Sequence, residues 1–217
     1  MVIADDHLLF AESMEIALTM EHYTVRRAVT DSGGSLAATT AAIIRLRPDI
    51  ALLDLDLGRI GDGVALISPL TQAGVAVVVV TASTDRGRWG ECIASGAVAV
   101  LPKTRPLDEI LATVRRVAYG VPVMTAHERD ELLRVWGERA QEHHELRERL
   151  GRLTARERDV LGHLTRGRTV SDIASRETVS PATVRTQVKS ILAKLEVSSQ
   201  IAAVGIAHHV GWRSPVA

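Results

Sequence analysis

Residues 50–56 read IALLDLD, an apolar run that ends in two aspartates. Its first part, IALLD (50–54), is typical of a strand that is buried on both faces of a parallel sheet. Four more β-rich runs accompany it, and they are VIA (2–4), TVRRAV (24–29), VAVVVVT (75–81) and AVAVL (97–101). The sequence therefore predicts five strands in its first half.

Helical patterns separate these strands and lie near residues 8–20, 35–46, 62–72, 85–95 and 107–119. Strict alternation of strands and helices implies a parallel sheet with helices on both faces. We therefore expect residues 1–120 to form one α/β domain with a five-stranded, doubly wound parallel sheet.

The chain changes character after residue 120. Residues 121–151 are polar and rich in Glu and Arg, and the segment 125–150 predicts one helical linker. Its apolar residues fall on one narrow stripe, which contains Leu132, Trp136, His143, Leu146 and Leu150. Such a stripe suits a linker helix that packs on one domain and also a helix that dimerises. Residues 152–213 then predict a small all-α domain of short helices and tight turns.

The net charge is zero overall, but it is distributed unevenly. It is about −3 over residues 1–124, about −2 over residues 125–149 and about +5 over residues 150–217. The C-terminal domain is therefore basic, whereas the rest of the chain is acidic.

The sequence argues against a disulfide-bonded, secreted or membrane-spanning protein. The single cysteine, Cys92, rules out an internal disulfide and a thiolate-rich metal site. The N-terminal residues lack the basic and long apolar segments of a secretory signal. The longest apolar stretch, residues 73–82, is far shorter than the roughly 20 residues that span a bilayer. We therefore expect a soluble, cytoplasmic protein with no membrane partner.

Acidic and polar side chains stand where the predicted strands end. Asp5 and Asp6 follow the first strand and Asp54 follows the third, while Thr81 and Lys103 mark the ends of the fourth and fifth. These side chains should converge, because the carboxyl ends of parallel strands meet at one sheet edge. Each close carboxylate pair costs about 4 kcal/mol at a surface-like dielectric, and Mg²⁺ removes that cost. A lysine and a hydroxyl beside the cation suit a phosphoryl group on a carboxylate nucleophile.

Four motifs, in order and in placement, resemble the receiver domain of two-component response regulators, and they are IADD (3–6), LLDLDL (52–57), VVTAS (79–83) and LPK (101–103). The resemblance implies a flavodoxin-like fold and makes Asp54 the phosphoacceptor. It also implies that Mg²⁺ is bound by the side chains of Asp5, Asp6 and Asp54 and by the backbone carbonyl of Asp56. Thr81 and Lys103 would contact the phosphoryl oxygens.

Two features complicate this interpretation. Val100 stands where receiver domains usually have Tyr or Phe, so the rotation of an aromatic ring is not available as a switch. DLDLG (54–58) also resembles the nucleophile motif of haloacid-dehalogenase-type phosphohydrolases. That family places its motif on the first strand and has a later acidic metal-binding loop, and this sequence shows neither.

The C-terminal helices predict a helix-turn-helix. Ser180 caps its second helix and Pro181 occupies the first helical position. Arg185 and Lys189 are four residues apart and share an exposed face. The opposite, apolar face contains Val184, Val188, Ile191 and Leu195. A helix with one basic and one packed face suits insertion into the DNA major groove.

The signatures LTxRExxVL (153–161) and TVRxxVxxIxxKL (183–195) resemble the LuxR-type DNA-binding domain. By that resemblance, the predicted DNA-contacting residues are Arg185, Thr186 and Lys189, with Ser180 and Thr183 at the start of the same helix. Glu177 stands where the family usually buries Leu, which predicts looser helix packing. Glu196 stands where Gly usually ends the helix, which predicts the loss of a left-handed cap.

Together the two resemblances indicate a response regulator of the NarL/FixJ type. They imply a DNA-binding transcriptional regulator that a partner histidine kinase phosphorylates on Asp54, with Mg²⁺ as cofactor. The active form is expected to be a homodimer on double-stranded DNA. We expect no enzymatic activity beyond phosphoryl transfer to, and hydrolysis from, its own aspartate. Two alternatives stay open, namely a phosphorylation-independent DNA-binding protein whose receiver only dimerises and the phosphohydrolase.

Overall fold

The five predicted strands form one parallel sheet in the order β2-β1-β3-β4-β5. The computed structural model describes residues 1–28 and 34–213. The strands are β1 (Val2–Ala4), β2 (Arg26–Arg27), β3 (Ile50–Leu53), β4 (Ala76–Thr81) and β5 (Ala99–Pro102). The strand order reverses between β1 and β3, the place where open α/β sheets bind ligands beyond the carboxyl ends of their strands.

Helices cover both faces of the sheet, and they are α1 (Leu8–Met20), α2 (Leu36–Arg45), α3 (Val64–Gln72), α4 (Arg86–Ala94) and α5 (Leu107–Ala118). Successive strand residues point to opposite faces. Accordingly, Leu53 and Val79 share one buried cluster with α2, α3 and α4, whereas Leu52 and Val78 share another with α1 and α5. The predicted doubly wound architecture is confirmed.

Strand β2 is shorter than the predicted run over residues 24–29. Only Arg26 and Arg27 pair with β1, and both side chains are exposed. Residue 29 of the predicted strand lies outside the described residues. An edge strand has a neighbour on one side only, and two charged side chains bury little apolar area. Few interactions therefore stabilise a longer pairing of β2 with β1.

The predicted linker helix is α6 (Ala126–Gly151). The chain forms two compact units, residues 1–137 and 138–217, and the division falls within this helix. In the first unit Leu132 is buried in the cluster that contains α4. In the second unit Leu150 is buried among the C-terminal helices. Both apolar residues therefore pack within the chain, which favours a linker helix over a dimerising one.

Four short helices complete the second unit, and they are α7 (Ala155–Thr165), α8 (Val170–Arg176), α9 (Pro181–Leu195) and α10 (Gln200–His209). Each begins at a residue whose hydroxyl accepts a hydrogen bond from the backbone N–H three positions on, and these caps are Thr154, Thr169, Ser180 and Ser199. Helices α8 and α9 form the helix-turn-helix pair.

Within the described parts of the chain, no single helix is long and apolar enough to cross a membrane. Among the described helices, only α9 and α10 taken together have the length and apolar composition of a membrane span, and the chain bends by 55° at the break between them.

Candidate functional site

Lys103 connects two strand ends at the carboxyl edge of the sheet. Its Nζ donates a hydrogen bond to Asp54 Oδ2 at 2.7 Å and lies 2.8 Å from Asp5 Oδ2. Asp54 is only 2% exposed and Asp5 only 8%. The structure therefore brings together three of the predicted site residues from β1, β3 and the segment after β5.

Backbone N–H groups hold the two buried carboxylates in place. Asp54 Oδ1 accepts a hydrogen bond from Leu55 N–H at 2.6 Å, and Asp5 Oδ1 accepts one from His7 N–H at 2.8 Å. The loop after Asp54 also folds closely over its backbone. A Cβ atom on Gly63 would lie 2.1 Å from the Asp54 carbonyl oxygen, so this turn requires glycine.

The charges at this edge depend on one another. Burial raises the pKa of Asp5, and the hydrogen bond from Lys103 opposes that shift. Burial acts to lower the pKa of Lys103, but its hydrogen bonds to Asp5 and Asp54 outweigh burial and leave that pKa raised. The ammonium group therefore stays charged and offsets the two buried carboxylates.

The donor set fits a divalent cation. Asp5, Asp6, His7 and Asp54 each offer one ligand atom, and these atoms lie within 4.8 Å of one another. Three of the four are carboxylates, the hard oxygen donors that Mg²⁺ prefers. The Lys103 ammonium lies beside two of them, which shows that the position attracts positive charge.

Asp56 and His7 differ from the other residues of the site. Asp56 is exposed, and its carboxylate accepts a hydrogen bond from Gly58 N–H at 3.0 Å, whereas the predicted ligand role falls to its backbone carbonyl. The sequence alone does not indicate a role for His7. Its Nδ1 lies 2.9 Å from Asp6 Oδ1, and the available signal was its position directly after the aspartate pair.

Thr81 links the end of β4 to both β5 and α4. Its buried hydroxyl oxygen accepts a hydrogen bond from Ser83 N–H at 3.1 Å, and its carbonyl oxygen accepts one from Lys103 N–H at 2.8 Å. The carbonyl of Ser83 in turn accepts a hydrogen bond from Trp89 Nε1 at 2.9 Å. Thr81 is therefore connected to α4 through two hydrogen bonds of Ser83.

Helix α4 packs against the first part of α6 with almost no space between the backbones. A Cβ atom on Gly90 would lie 2.1 Å from the Leu132 carbonyl oxygen and 2.6 Å from Trp136 Cβ. Arg86 at the start of α4 also pairs with Glu131 at 3.2 Å. The helix next to Thr81 is thus in direct contact with the linker helix.

Val100 is buried in the same cluster as Cys92 and Ile93 of α4. A valine side chain has no ring to reorient and no hydroxyl to exchange partners. Val100 therefore fills space in the core on this strand and offers no ring to rotate.

Helix α9 exposes the polar residues predicted to contact DNA and buries its apolar side. Arg185, Thr186 and Lys189 are exposed, as are Ser180 and Thr183 at the start of the helix. Ser180 Oγ accepts a hydrogen bond from Thr183 N–H at 3.1 Å, so the Ser180 hydroxyl serves first as a cap. The buried side of the helix consists of Val184, Val188, Ile191 and Leu195.

Buried Glu157 fixes α9 on α7. One oxygen accepts a hydrogen bond from Ser190 Oγ at 2.7 Å, and the other accepts one from Lys194 Nζ at 2.6 Å. It also completes a capping box with Thr154. Burial acts to raise the pKa of Glu157, but the hydrogen bonds from Lys194 and Ser190 outweigh it and lower the pKa to about 2. The supporting carboxylate is therefore fully charged at neutral pH.

Glu177 makes polar contacts between helices, although its charge in place of a buried Leu predicted looser packing. It pairs with Arg156 and lies 2.9 Å from His163 Nε2, so it joins the end of α8 to α7. These hydrogen bonds, from His163 above all, lower the pKa of Glu177. Glu196 also departs from expectation, because it adopts the left-handed conformation itself, with φ of 60°. Its carboxylate lies 3.1 Å from Arg149.

Residues 1–115 match the family described as the response regulator receiver domain, and residues 151–207 match the bacterial regulatory proteins of the luxR family. A probable transcriptional regulatory protein NarL from Mycobacterium tuberculosis (strain CDC 1551 / Oshkosh) is 31% identical over 94% of this chain and 90% of that protein. The nitrate/nitrite response regulator protein NarP from Escherichia coli (strain K12) is 28% identical over 93% and 91%.

Among solved structures, the RcsB response regulator of Salmonella typhimurium aligns over 95% of this chain and 98% of its own, with 19% identity and a TM-score of 0.51. That likeness concerns the fold. The chain belongs to the response regulators of the NarL/FixJ type, which join a receiver domain to a LuxR-type DNA-binding domain. It is thus a DNA-binding transcriptional regulator. The haloacid-dehalogenase alternative has no support, because that family places its nucleophile motif on the first strand and Asp54 follows β3.

We expect Glu157→Gln to destabilise the second unit at pH 7 by about 1.5–3 kcal/mol, the range for a lost hydrogen bond to a charged group. A carboxylate whose pKa is depressed on folding contributes stability above its unfolded pKa and loses it as pH falls through the folded value. The difference from the wild type should therefore shrink between about pH 4.5 and pH 2. Guanidinium unfolding at several pH values measures it, with exposed Glu148→Gln as the control; a difference constant with pH would contradict the assignment.

Proposed function

We propose that phosphorylation of Asp54 by a partner histidine kinase controls dimerisation and promoter binding by this protein. The proposal rests chiefly on one observation, the Lys103 ammonium held between Asp5 and Asp54 at the carboxyl edge of the sheet. We further propose that Asp5, Asp6, Asp54 and the Asp56 carbonyl hold Mg²⁺. Once bound, the cation would neutralise these carboxylates and the incoming phosphoryl oxygens.

The transfer step uses Asp54 as the nucleophile. One of its carboxylate oxygens forms a bond to phosphorus while the bond from phosphorus to the kinase histidine nitrogen breaks, and the departing imidazole takes up a proton from water. Lys103 already donates to Asp54 Oδ2, so a phosphoryl group on the same carboxylate would lie within reach of its ammonium group. The Thr81 hydroxyl accepts from Ser83 and retains its own hydrogen to donate.

The signal then passes through α4 rather than through an aromatic residue on β5. A phosphoryl group that draws on Thr81 would move Ser83, whose carbonyl holds Trp89 on α4. Arg88 on the same helix also pairs at 2.7 Å with Asp62, in the loop that follows Asp54. Because α4 contacts α6 through Gly90, movement of α4 changes the support of the linker helix.

The output is recognition of double-stranded DNA by α9. Arg185, Thr186 and Lys189 form the exposed face that would enter the major groove, and the basic second half of the chain supports binding to phosphates. A homodimer would place two such helices about 34 Å apart on successive major grooves. Because its target is DNA and its family is bacterial, we place its action in the cytoplasm.

We expect the full chain to form a base-labile phosphoryl adduct when incubated with a small phosphodonor and Mg²⁺, as detected by intact-protein mass spectrometry. Asp54→Asn should abolish the adduct because it removes the nucleophile. Asp49→Asn, at the opposite end of the same strand, should retain it. A wild-type protein that forms no adduct would instead support a DNA-binding protein with a receiver that only dimerises, the alternative that Val100 favours.

We expect Arg185→Ala to relax sequence preference, because a side chain that contacts base edges carries about 1–3 kcal/mol of discrimination. Arg166→Ala should weaken binding to all sequences and reduce its salt dependence, because exposed Arg166 suits a phosphate contact. Gel-shift titrations against specific and scrambled DNA measure both effects, and equal behaviour of the two variants would place the reading helix elsewhere.

We expect Gly90→Ala to uncouple phosphorylation from DNA affinity. The added methyl group cannot fit against Leu132 and Trp136, so α4 and α6 must separate. Gly137→Ala is the matched control, since a Cβ atom there has nothing within 4 Å. DNA affinity of the phosphorylated and unphosphorylated forms should differ in the wild type and in Gly137→Ala, but not in Gly90→Ala. If Gly90→Ala responds like the wild type, the route through α4 is wrong.

A further inference from the structure

His7 lies within the cluster of acids but has no part in the function proposed above. Its Nδ1 is 2.9 Å from Asp6 Oδ1, 3.5 Å from Asp5 Oδ1 and 3.7 Å from Asp54 Oδ2. The same atom lies 3.2 Å from the Nζ of Lys103. One imidazole nitrogen thus faces every side chain of the cluster.

The hydrogen-bonding roles around Nδ1 conflict when no further cation is present. A lysine ammonium can only donate, so its contact with Nδ1 requires a lone pair on that nitrogen. An ionised carboxylate can only accept, so the contact with Asp6 requires a proton on the same nitrogen. A metal ion at this position would resolve the contact with Asp6, because the imidazole lone pair and the carboxylate oxygen would then both point at the ion. Lys103 would give up its contact with Nδ1 and keep its hydrogen bonds to Asp5 and Asp54.

The spacing of the two atoms agrees with that reading. In an octahedral centre with ligands at about 2.1 Å, neighbouring ligand atoms lie about 3.0 Å apart. The observed separation of His7 Nδ1 and Asp6 Oδ1 is 2.9 Å. Two atoms already separated by one edge of the octahedron need little rearrangement to share an ion.

The backbone of His7 also prepares its side chain for this role. Its N–H donates to Asp5 Oδ1 at 2.8 Å and its carbonyl accepts from Ala11 N–H at 3.0 Å, so the base of the side chain is held on both sides. His7 is the residue that precedes α1, yet its side chain makes no capping hydrogen bond. The imidazole is 59% exposed, which leaves a path from solvent to the ion.

We propose that His7 Nδ1 is a ligand of the metal centre and that it raises the preference of the site for divalent first-row transition cations over Mg²⁺. The inference rests on the metal site proposed above. Imidazole nitrogen contributes more to the binding of transition cations than to the binding of Mg²⁺, which prefers oxygen. His7 would therefore favour transition cations over Mg²⁺, while the carboxylates provide the affinity common to both.

The test uses Mn²⁺ bound to the full chain. Electron spin echo measurements detect a nitrogen nucleus coordinated to Mn²⁺, and calorimetry gives the affinities for Mn²⁺ and Mg²⁺. We expect nitrogen coupling in the wild type and its loss in His7→Ala. That variant should also bind Mn²⁺ at least about tenfold more weakly, with a much smaller change for Mg²⁺.

Two histidine variants serve as controls. His127→Ala removes an exposed imidazole from the first turn of α6 and should retain the coupling. His209→Ala should retain it too, and this variant matters because His209 Nε2 lies 3.2 Å from His143 Nε2 in another close pair of imidazoles. Loss of the coupling in His209→Ala alone would move the nitrogen ligand to that pair and overturn the proposal for His7.

The remaining outcomes separate this inference from the function it rests on. Bound Mn²⁺ without nitrogen coupling in the wild type would overturn the role of His7 and leave the carboxylate site intact. Coupling that persists in His7→Ala would do the same. A wild-type chain that binds neither Mn²⁺ nor Mg²⁺ would contradict the metal centre itself.

Discussion

The contact of one ammonium group with two buried carboxylates constrains the rest of the receiver. Asp5 and Asp54 directly follow the neighbouring strands β1 and β3. Each pair of like charges about 4 Å apart costs about 4 kcal/mol at a surface-like dielectric. Lys103 follows β5 and must reach across the end of β4 to offset them. Strand β4 ends in the small residue Thr81, whose carbonyl also binds the Lys103 backbone. The side chain of Lys103 therefore offsets the two carboxylates, while its backbone is held at the end of β4.

Helix α4 contacts both the loops near Asp54 and the linker helix α6. It receives contacts from the loop after β3 through Asp62 and from the loop after β4 through Ser83. On its other side, Gly90 lets the backbone of α6 approach closely. A packed contact of this kind cannot shift gradually, because neighbouring atoms have no free space. Val100 offers no aromatic ring for transmission, and the route that we propose through α4 consists of hydrogen bonds and close packing.

The DNA-binding unit is held by polar contacts as much as by its apolar core. Glu157 ties α9 to α7 through Ser190 and Lys194, and Glu177 ties α8 to α7. Charge-assisted hydrogen bonds are directional, so they fix the rotation of α9 and thereby which of its residues face outward. The orientation of the proposed DNA-contacting face therefore depends on Glu157, which does not belong to it.

Local patterns in the sequence determined the five strands, the doubly wound sheet and the helix-turn-helix, because periodicity, caps and strand-end acids are properties of neighbouring residues. They also determined that Asp5, Asp54 and Lys103 would converge, since parallel strands share one carboxyl edge. Tertiary structure alone decided the rest. The ion pair of Glu177 with Arg156, the approach of α6 to Gly90 and the position of His7 among the acids depend on distances between residues far apart in the chain or on side-chain orientation. No repeat or spacing in the sequence encodes those distances, because they arise only when separate elements pack together.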